Sequence, residues 1–247
     1  MGKTALALNI AENIAVENKE AVAVFSLEMG KAQLAERLMS SHSGVDSQKI
    51  RKRMLGGDDF MRLQDSCSKL SEAPLYIDDT PGLSILALRA KARRLAARYG
   101  IKAIMIDYLQ LMSDPGSESR QQEVSNISRN VKGLARDLNV PVVCLSQLNR
   151  GAENREGHRP RMADLRESGS IEQDADVIMM LHREEYYHNG DEEWKQAHPE
   201  LIGTAEIIIA KQRNGPTGSV HLQFHGATTR FNNLSHAAAP GGGVSAF

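Results

Sequence analysis

The 247-residue chain carries 30 Lys and Arg against 31 Asp and Glu, a formal net charge of -1, with 41 % hydrophobic and 25 % charged residues. These ordinary globular values exclude a global basic field, so any contact with nucleic acid must come from a local patch. No apolar run reaches bilayer length, the N-terminus has no basic-then-apolar leader pattern, and Cys67 and Cys144 are too few for a disulfide framework; the reading is a soluble protein of a reducing, cytoplasmic compartment without membrane contact.

The chain opens on Gly2-Lys3-Thr4, the last three positions of the phosphate-binding loop G-x-x-x-x-G-K-[ST]. In that loop backbone N–H groups and a helix N-terminus cradle phosphates, Lys reaches the outer oxygens and Thr binds Mg²⁺. The tripeptide alone is a weak signal. With the front of the loop and its preceding strand missing, several backbone donors are gone, and ATP affinity is expected to fall below that of a complete loop. Leu6, Ile10 and Ile14 then predict a helix with those residues inward, stopping at Asn18-Lys19. Ala21 to Leu27 reads as a parallel strand covered on both faces, with Glu28 at its carboxyl end.

Residues 31–71 predict two or three helices broken at Gly44 and Gly56-Gly57, and residues 74–81 a strand closed by a turn. Ser84 to Tyr99 predicts a helix with Leu86, Leu88 and Leu95 inward and a cluster of cations, Arg89, Lys91, Arg93, Arg94 and Arg98, on its other faces as a solvated or subunit-contacting surface. Ala103 to Asp107 is the next strand, followed by a helix to about Asn139 and a strand from Val142 to Ser146. Arg150 to Ser170 reads as a long mobile loop, Val177 to Leu181 as a strand, and residues 184–199 as a polar surface excursion. Ala205 to Ala210 and Ser219 to His225 predict two β runs joined by the Asn214-Gly215-Pro216 turn region. The strand-then-helix order implies an α/β fold with a mostly parallel sheet flanked by helices, a C-terminal β-hairpin, and ligands at the strands' carboxyl ends. One domain is expected over residues 1–234, with a disordered Ala- and Gly-rich tail over 235–247.

Four apolar residues ending in Asp107 have the shape of a Walker B strand, whose aspartate holds Mg²⁺ beside the phosphates; a buried strand ending in a solvated Asp is the plainer alternative. Glu28 could polarise water for attack on a γ-phosphate, or simply precede a helix. Gln147 could sense the γ-phosphate through its amide, or be an ordinary loop residue. Lys211 and Arg213, two residues apart at a strand end, face the same side and could reach a neighbouring subunit's site, or serve hairpin solubility. Arg159, Arg161 and Arg166, with the backbone amides of 168–170, suit sequence-independent binding of a nucleic-acid strand by phosphate contact, since the loop lacks aromatics for base stacking. The eight histidines show no metal-ligand spacing.

Five runs resemble one family: residues 25–29 (FSLEM), 104–112 (IMIDYLQLM), 145–150 (LSQLNR), 164–176 (DLRESGSIEQDAD) and 211–216 (KQRNGP) are similar, in order, to the C-terminal motor domain of the bacterial replicative DNA helicases of the DnaB type. The resemblance runs from Met1 to about Leu234. It implies a RecA-like P-loop ATPase assembled as a hexameric homo-oligomer around single-stranded DNA, unwinding duplex with 5′-to-3′ polarity, with ATP and Mg²⁺ as its cofactors. It further implies that Gly2, Lys3 and Thr4 bind the phosphates, that Thr4 and Asp107 hold Mg²⁺, that Glu28 is the catalytic carboxylate and that Gln147 is the γ-phosphate sensor. Lys211 and Arg213 would complete the neighbouring subunit's site, and Arg166, Glu167 and Gly169 would contact DNA. Family members also carry an N-terminal helical domain and a linker helix that engage primase and the helicase loader. Neither is present, so a non-enzymatic subunit that binds or inhibits full-length helicase is the alternative expectation.

Overall fold

The computed structural model describes residues 1–149, 151, 155 and 157–234, except for the side chains of residues 166–168. Strands β1 (Val22–Ser26) and β3 (Ala103–Asp107) are buried at every position, which is why both read as continuous apolar runs rather than alternating ones. They pair in parallel from Val22 opposite Ala103 to Ser26 opposite Asp107. Strand β2 (Leu75–Asp78) adds to β1 and β4 (Val142–Cys144) to β3, giving the parallel order β2-β1-β3-β4.

Helices cover both faces: α1 (Lys3–Glu12), α2 (Lys31–Ser43), α3 (Ser47–Lys52), α4 (Gly57–Glu72), α5 (Ile85–Tyr99) and α6 (Arg120–Leu138). Alternate strand residues enter two cores. Ala23, Phe25, Ile104 and Ile106 meet Leu88 of α5 and Ile127 and Leu134 of α6, while Val22, Val24, Ala103 and Met105 meet Leu8 and Ala11 of α1 and Leu34 and Leu38 of α2. Each buried Ile or Phe contributes about 1.5–3 kcal/mol of transfer free energy, so these two layers hold the fold. Ser84 and Ser119 cap α5 and α6 through their hydroxyls, which accept from Ala87 N and Gln122 N at 3.2 Å each.

The inward faces of two helices differ from expectation. In α1 the buried residues are Ala5, Ala7, Leu8 and Ala11, whereas Leu6, Ile10 and Ile14 are only half-buried. The reason is that α1 lies between two sheets, and small side chains let it approach both. In α5, Ile85, Leu88 and Ala92 are buried while Leu86 is 67 % exposed. Its cations are not all solvated: Arg89 and Arg93 both donate to Asp137 of α6, at 2.9 and 2.7 Å, holding that carboxyl below the usual carboxylate range and tying the two helices together.

The expected hairpin is half of a second, antiparallel sheet of β5 (Val177–His182), β6 (Thr204–Gln212), β7 (Gly218–His225) and β8 (Arg230–Asn233), in that order. Strand β8 has no clear signal in its polar sequence; its pairing with β7 and the contact of Phe231 with Phe224 and Ala5 create it. A buried polar network joins this sheet to α1. Arg230 donates to Glu12 Oε1 and Ser41 O at 2.9 Å each, His42 Nδ1 lies 3.0 Å from Glu12 Oε1, and Asn9 Oδ1 accepts from Phe231 N at 2.8 Å.

The stretch expected as one long loop is partly helical. Met162–Ser168 forms 3₁₀ turns that lead into α7 (Gly169–Asp174), because Leu165 is buried against Ile178 and Met180, and Ser128 of α6 donates to Asp174 at 2.7 Å. The remaining short helix, α8 (Glu192–Ala197), lies in the polar excursion. The expected tail, 235–247, lies outside the described residues.

Cys144 is half-buried next to Asp107; burial, and secondarily that carboxylate's charge, push its thiol up to about 12. Cys67 is exposed. Thiolate reactivity therefore separates the two by roughly a thousandfold near pH 8. Alkylation followed by mass spectrometry should label Cys67 rapidly and Cys144 only after unfolding; equal labelling rates in the native protein would contradict this placement.

Candidate functional site

Three parallel strands deliver their carboxyl ends to one edge. Ser26 of β1 stands opposite Asp107 of β3, and Leu145, just past β4, donates its N–H to Ile106 O at 2.9 Å. Helix α1 begins over the same edge. Thr4 Oγ1 donates to Asp107 Oδ2 at 2.7 Å, and Lys3 Nζ donates to Ser146 O at 3.0 Å. Four sequence-predicted residues thus converge: Lys3, Thr4 and Asp107 in direct register, and Gln147 next to the carbonyl that anchors Lys3. Gly2 ends the turn into α1 with φ 107, and a Cβ there would stand 3.3 Å from Phe231 Cζ, so backbone and space both require glycine.

Burial lowers the Lys3 pKa, while the charges of Asp107 and Glu28 act in the opposite direction, which places both carboxylates within electrostatic reach of the ammonium. Lys3 Nζ also lies 5.6 Å from the Tyr108 ring centroid. Asp107 is 6 % exposed, and a carboxylate so buried requires donors or a cation beside it. Its neighbour Thr4 supplies one hard oxygen donor and the carboxylate another. That pair suits Mg²⁺, which takes one or two protein oxygens and fills its octahedron with water and phosphate oxygens. Among the described residues there is no group of three or more His, Cys, Asp or Glu that could hold a metal on its own.

Glu28 is exposed just past β1. Its turn is fixed by Ser26, whose hydroxyl donates to Met29 O at 2.8 Å and accepts from Met29 N at 3.2 Å. Gln147 is exposed as well, and its backbone is held by the side chain of Gln110. Ser26, Tyr108, Gln110 and Ser146 all shape the site yet carry no motif signal of their own. Gln110 and Tyr108 lie inside the apolar run that ends the Asp107 strand, where an amide and a ring read as ordinary loop residues.

Lys211 and Arg213 are not brought to Lys3, Thr4 or Asp107. They share one side, as their spacing requires, and both dock on the end of α7: Lys211 Nζ donates to the carbonyls of Glu172 and Gln173, and Arg213 donates to Gln173 O at 2.7 Å with Asp176 Oδ1 at 3.5 Å. Gly169 is exposed at the start of α7. Arg166 and Glu167 lie in the 3₁₀ turns before it, and their side chains fall outside the described residues. Arg159, one of the cations expected to meet a strand of nucleic acid, is ion-paired to Glu206 and donates to Ser219 Oγ at 3.2 Å.

Residues 1–233 match the family model described as DnaB-like helicase C terminal domain. The chain is 49 % identical over 236 residues to the replicative DNA helicase DnaC of Bacillus subtilis (strain 168) and 50 % identical over 236 residues to the replicative DNA helicase DnaB of Geobacillus stearothermophilus. Each match covers 95 % of this chain and 50 % of the relative, so the chain spans about half the length of these proteins. Among solved structures it is similar to an isolated ATPase domain, with TM-score 0.85 and 38 % identity over 95 % of this chain and 81 % of that one. A DnaB-like replicative helicase, whose structure includes its interactions with primase, gives TM-score 0.86 and 39 % identity over 95 % of this chain and 55 % of that one. The parallel sheet with its flanking helices, the residues gathered at its carboxyl edge and these matches agree: the chain belongs to the DnaB-like helicase C-terminal domain family and has its RecA-like fold.

Proposed function

We propose that this chain is an ATP-driven DNA helicase motor that hydrolyses ATP to translocate 5′-to-3′ on single-stranded DNA in a hexameric ring of identical subunits. The observation that carries this reading is the convergence of Lys3, Thr4 and Asp107, with Thr4 Oγ1 2.7 Å from Asp107 Oδ2. The N-terminus of α1 and Gly2 receive the phosphates, where unpaired N–H groups and the helix dipole favour anions. Lys3 neutralises the outer phosphate oxygens; its partly desolvated ammonium is released from Ser146 O to do so. Mg²⁺, held by Thr4 and Asp107, would supply charge neutralisation on the bridging phosphate oxygens. Glu28 polarises the attacking water, and Gln147 reads the γ-phosphate from the β4 side.

Lys211 and Arg213 act on the neighbouring subunit's nucleotide, a reading supported by their position away from their own chain's Lys3 and Thr4. Head-to-tail contacts of this kind are heterologous and close into rings. Exposed Met54, Phe60 and Met61, at 68, 62 and 63 %, offer an apolar surface for such contacts. Arg166, Glu167 and Gly169 meet the DNA backbone, and primase and a helicase loader are the partners of the whole protein. The compartment is cytoplasmic; among the described residues no helix is long and apolar enough to cross a membrane. The non-enzymatic alternative is not favoured, since the phosphate-facing residues are assembled rather than scattered.

Glu28→Gln tests the chemistry. It should lower ATP turnover by about 10²–10⁴-fold, the range for loss of a general base, while nucleotide binding measured by titration with a fluorescent ATP analogue is retained. Turnover stimulated by single-stranded DNA in the wild-type chain and unchanged in the variant would remove Glu28 from this role; no turnover in the wild type at any protein or DNA concentration would remove the motor reading itself.

A further inference from the structure

Gln110 stands three residues past Asp107, in the short 3₁₀ turn Leu109–Leu111, and its side-chain amide is occupied by the chain around Gln147. Its Oε1 accepts from Gln147 N at 3.2 Å, and its Nε2 donates to Gln147 O at 3.2 Å and to Ser146 Oγ at 2.8 Å. One amide thus satisfies both backbone groups of Gln147, as a neighbouring β-strand would, just where β4 has ended and the ladder no longer holds the chain. Gln110 is itself fixed from behind, since Arg120, at the start of α6 and ion-paired to Glu123, donates to its backbone carbonyl. Ser146, the other residue it grips, presents the carbonyl that Lys3 Nζ reaches.

We infer that Gln110 is a positioning residue for the nucleotide site, clamping the Ser146-Gln147 segment so that the Gln147 amide and the Lys3 anchor hold their places beside the γ-phosphate. This rests on the reading of Gln147 as a γ-phosphate sensor. Gln147 is exposed, and among the described residues its side chain forms no hydrogen bond, so its aim depends on its backbone. Without Gln110 that backbone samples several orientations, and the cost falls on the state in which the γ-position carries most charge. The ground state with nucleoside diphosphate, which has no γ-group, is unaffected.

Affinities for ADP and for ADP with aluminium fluoride, a mimic of the transferring phosphoryl group, are measured in wild type, Gln110→Ala, Gln147→Ala and the double variant. Gln110→Ala should leave ADP affinity within about twofold and weaken the aluminium fluoride complex by roughly tenfold, the scale of one lost oriented contact. Gln147→Ala should weaken it by as much or more, and the double variant should match Gln147→Ala, because the two act through one amide. Gln110→Glu keeps the acceptor for Gln147 N and should recover part of the loss. If Gln147→Ala weakens the complex but Gln110→Ala does not, or if the two effects multiply in the double variant, the positioning role is overturned and the sensor stands. If Gln147→Ala binds both ligands as the wild type does, the sensor reading fails and the clamp with it. A wild-type chain that binds neither ligand overturns both.

Discussion

Arg213→Ala is expected to reduce DNA-stimulated ATP turnover by about 10³-fold or more, the scale of a lost arginine finger. The guanidinium leans on Gln173 O and Asp176 at the end of α7 and is 46 % exposed, with the carboxyl edge of its own parallel sheet served by Lys3 instead. A cation so placed serves its own chain's nucleotide poorly and a neighbour's well. Complementation separates the two cases. A chain with Arg213→Ala keeps its own Lys3, Thr4, Glu28 and Asp107 and lacks only what it offers its neighbour; a chain with Glu28→Gln has the converse defect. Random one-to-one mixing juxtaposes an intact site with an intact arginine at about a quarter of the head-to-tail interfaces, so turnover should return to a measurable fraction of wild type. If the mixture stays as inactive as its components while both chains co-assemble, Arg213 does not act across an interface. Thermal melting of Arg213→Ala checks that the loss is not unfolding, since the side chain also caps α7.

Arg230→Ala should destabilise the domain by about 3–5 kcal/mol, the cost of removing one partner from a buried ion pair. Glu12 is 2 % exposed, and its Oε2 has no hydrogen-bond partner, so its carboxylate depends on Arg230 and on His42 through the other oxygen. Arg230 also satisfies the carbonyl of Ser41, so one substitution orphans groups on α1 and α2 together. Urea unfolding of wild type, Arg230→Ala, Glu12→Gln and the double variant forms a cycle. The double variant should be more stable than Arg230→Ala alone, because a neutral amide costs less to bury than an unpaired carboxylate. A loss below about 1 kcal/mol for Arg230→Ala would mean that solvent reaches Glu12 and that the network does not join the two sheets.

The nucleotide site is legible in the sequence wherever chemistry dictates a residue type at a strand end. Asp107 closes an apolar strand that has no other reason to end in a charge, and Lys3-Thr4 begins a helix with the pair a phosphate and its cation need. Gln147 lies beside that cluster but is distinguishable from an ordinary loop amide only with the motif strings around it. The helical turns at 162–174 are hidden because their apolar residues, Leu165 above all, are few, and their burial depends on Ile178 and Met180 further along the chain. Leu86 stays outside the core, against expectation, for a related reason: α5 has two leucine-bearing stripes, and only packing against α6 selects the one through Leu88.

Local chemistry in the sequence determined the alternation of strands and helices, the phosphate-facing triplet, the acidic strand ends and the hairpin cations, because periodicity and residue type act over a few neighbours and need no partner. The tertiary structure decided the rest: that α1 presents alanines to two sheets at once, that β8 exists, that Glu12 and Arg230 share a buried pair across more than two hundred residues, and that Lys211 and Arg213 rest on α7 away from Lys3. Each of those outcomes depends on which surfaces meet, and the free energy of burying or pairing a group belongs to the contact rather than to either segment alone.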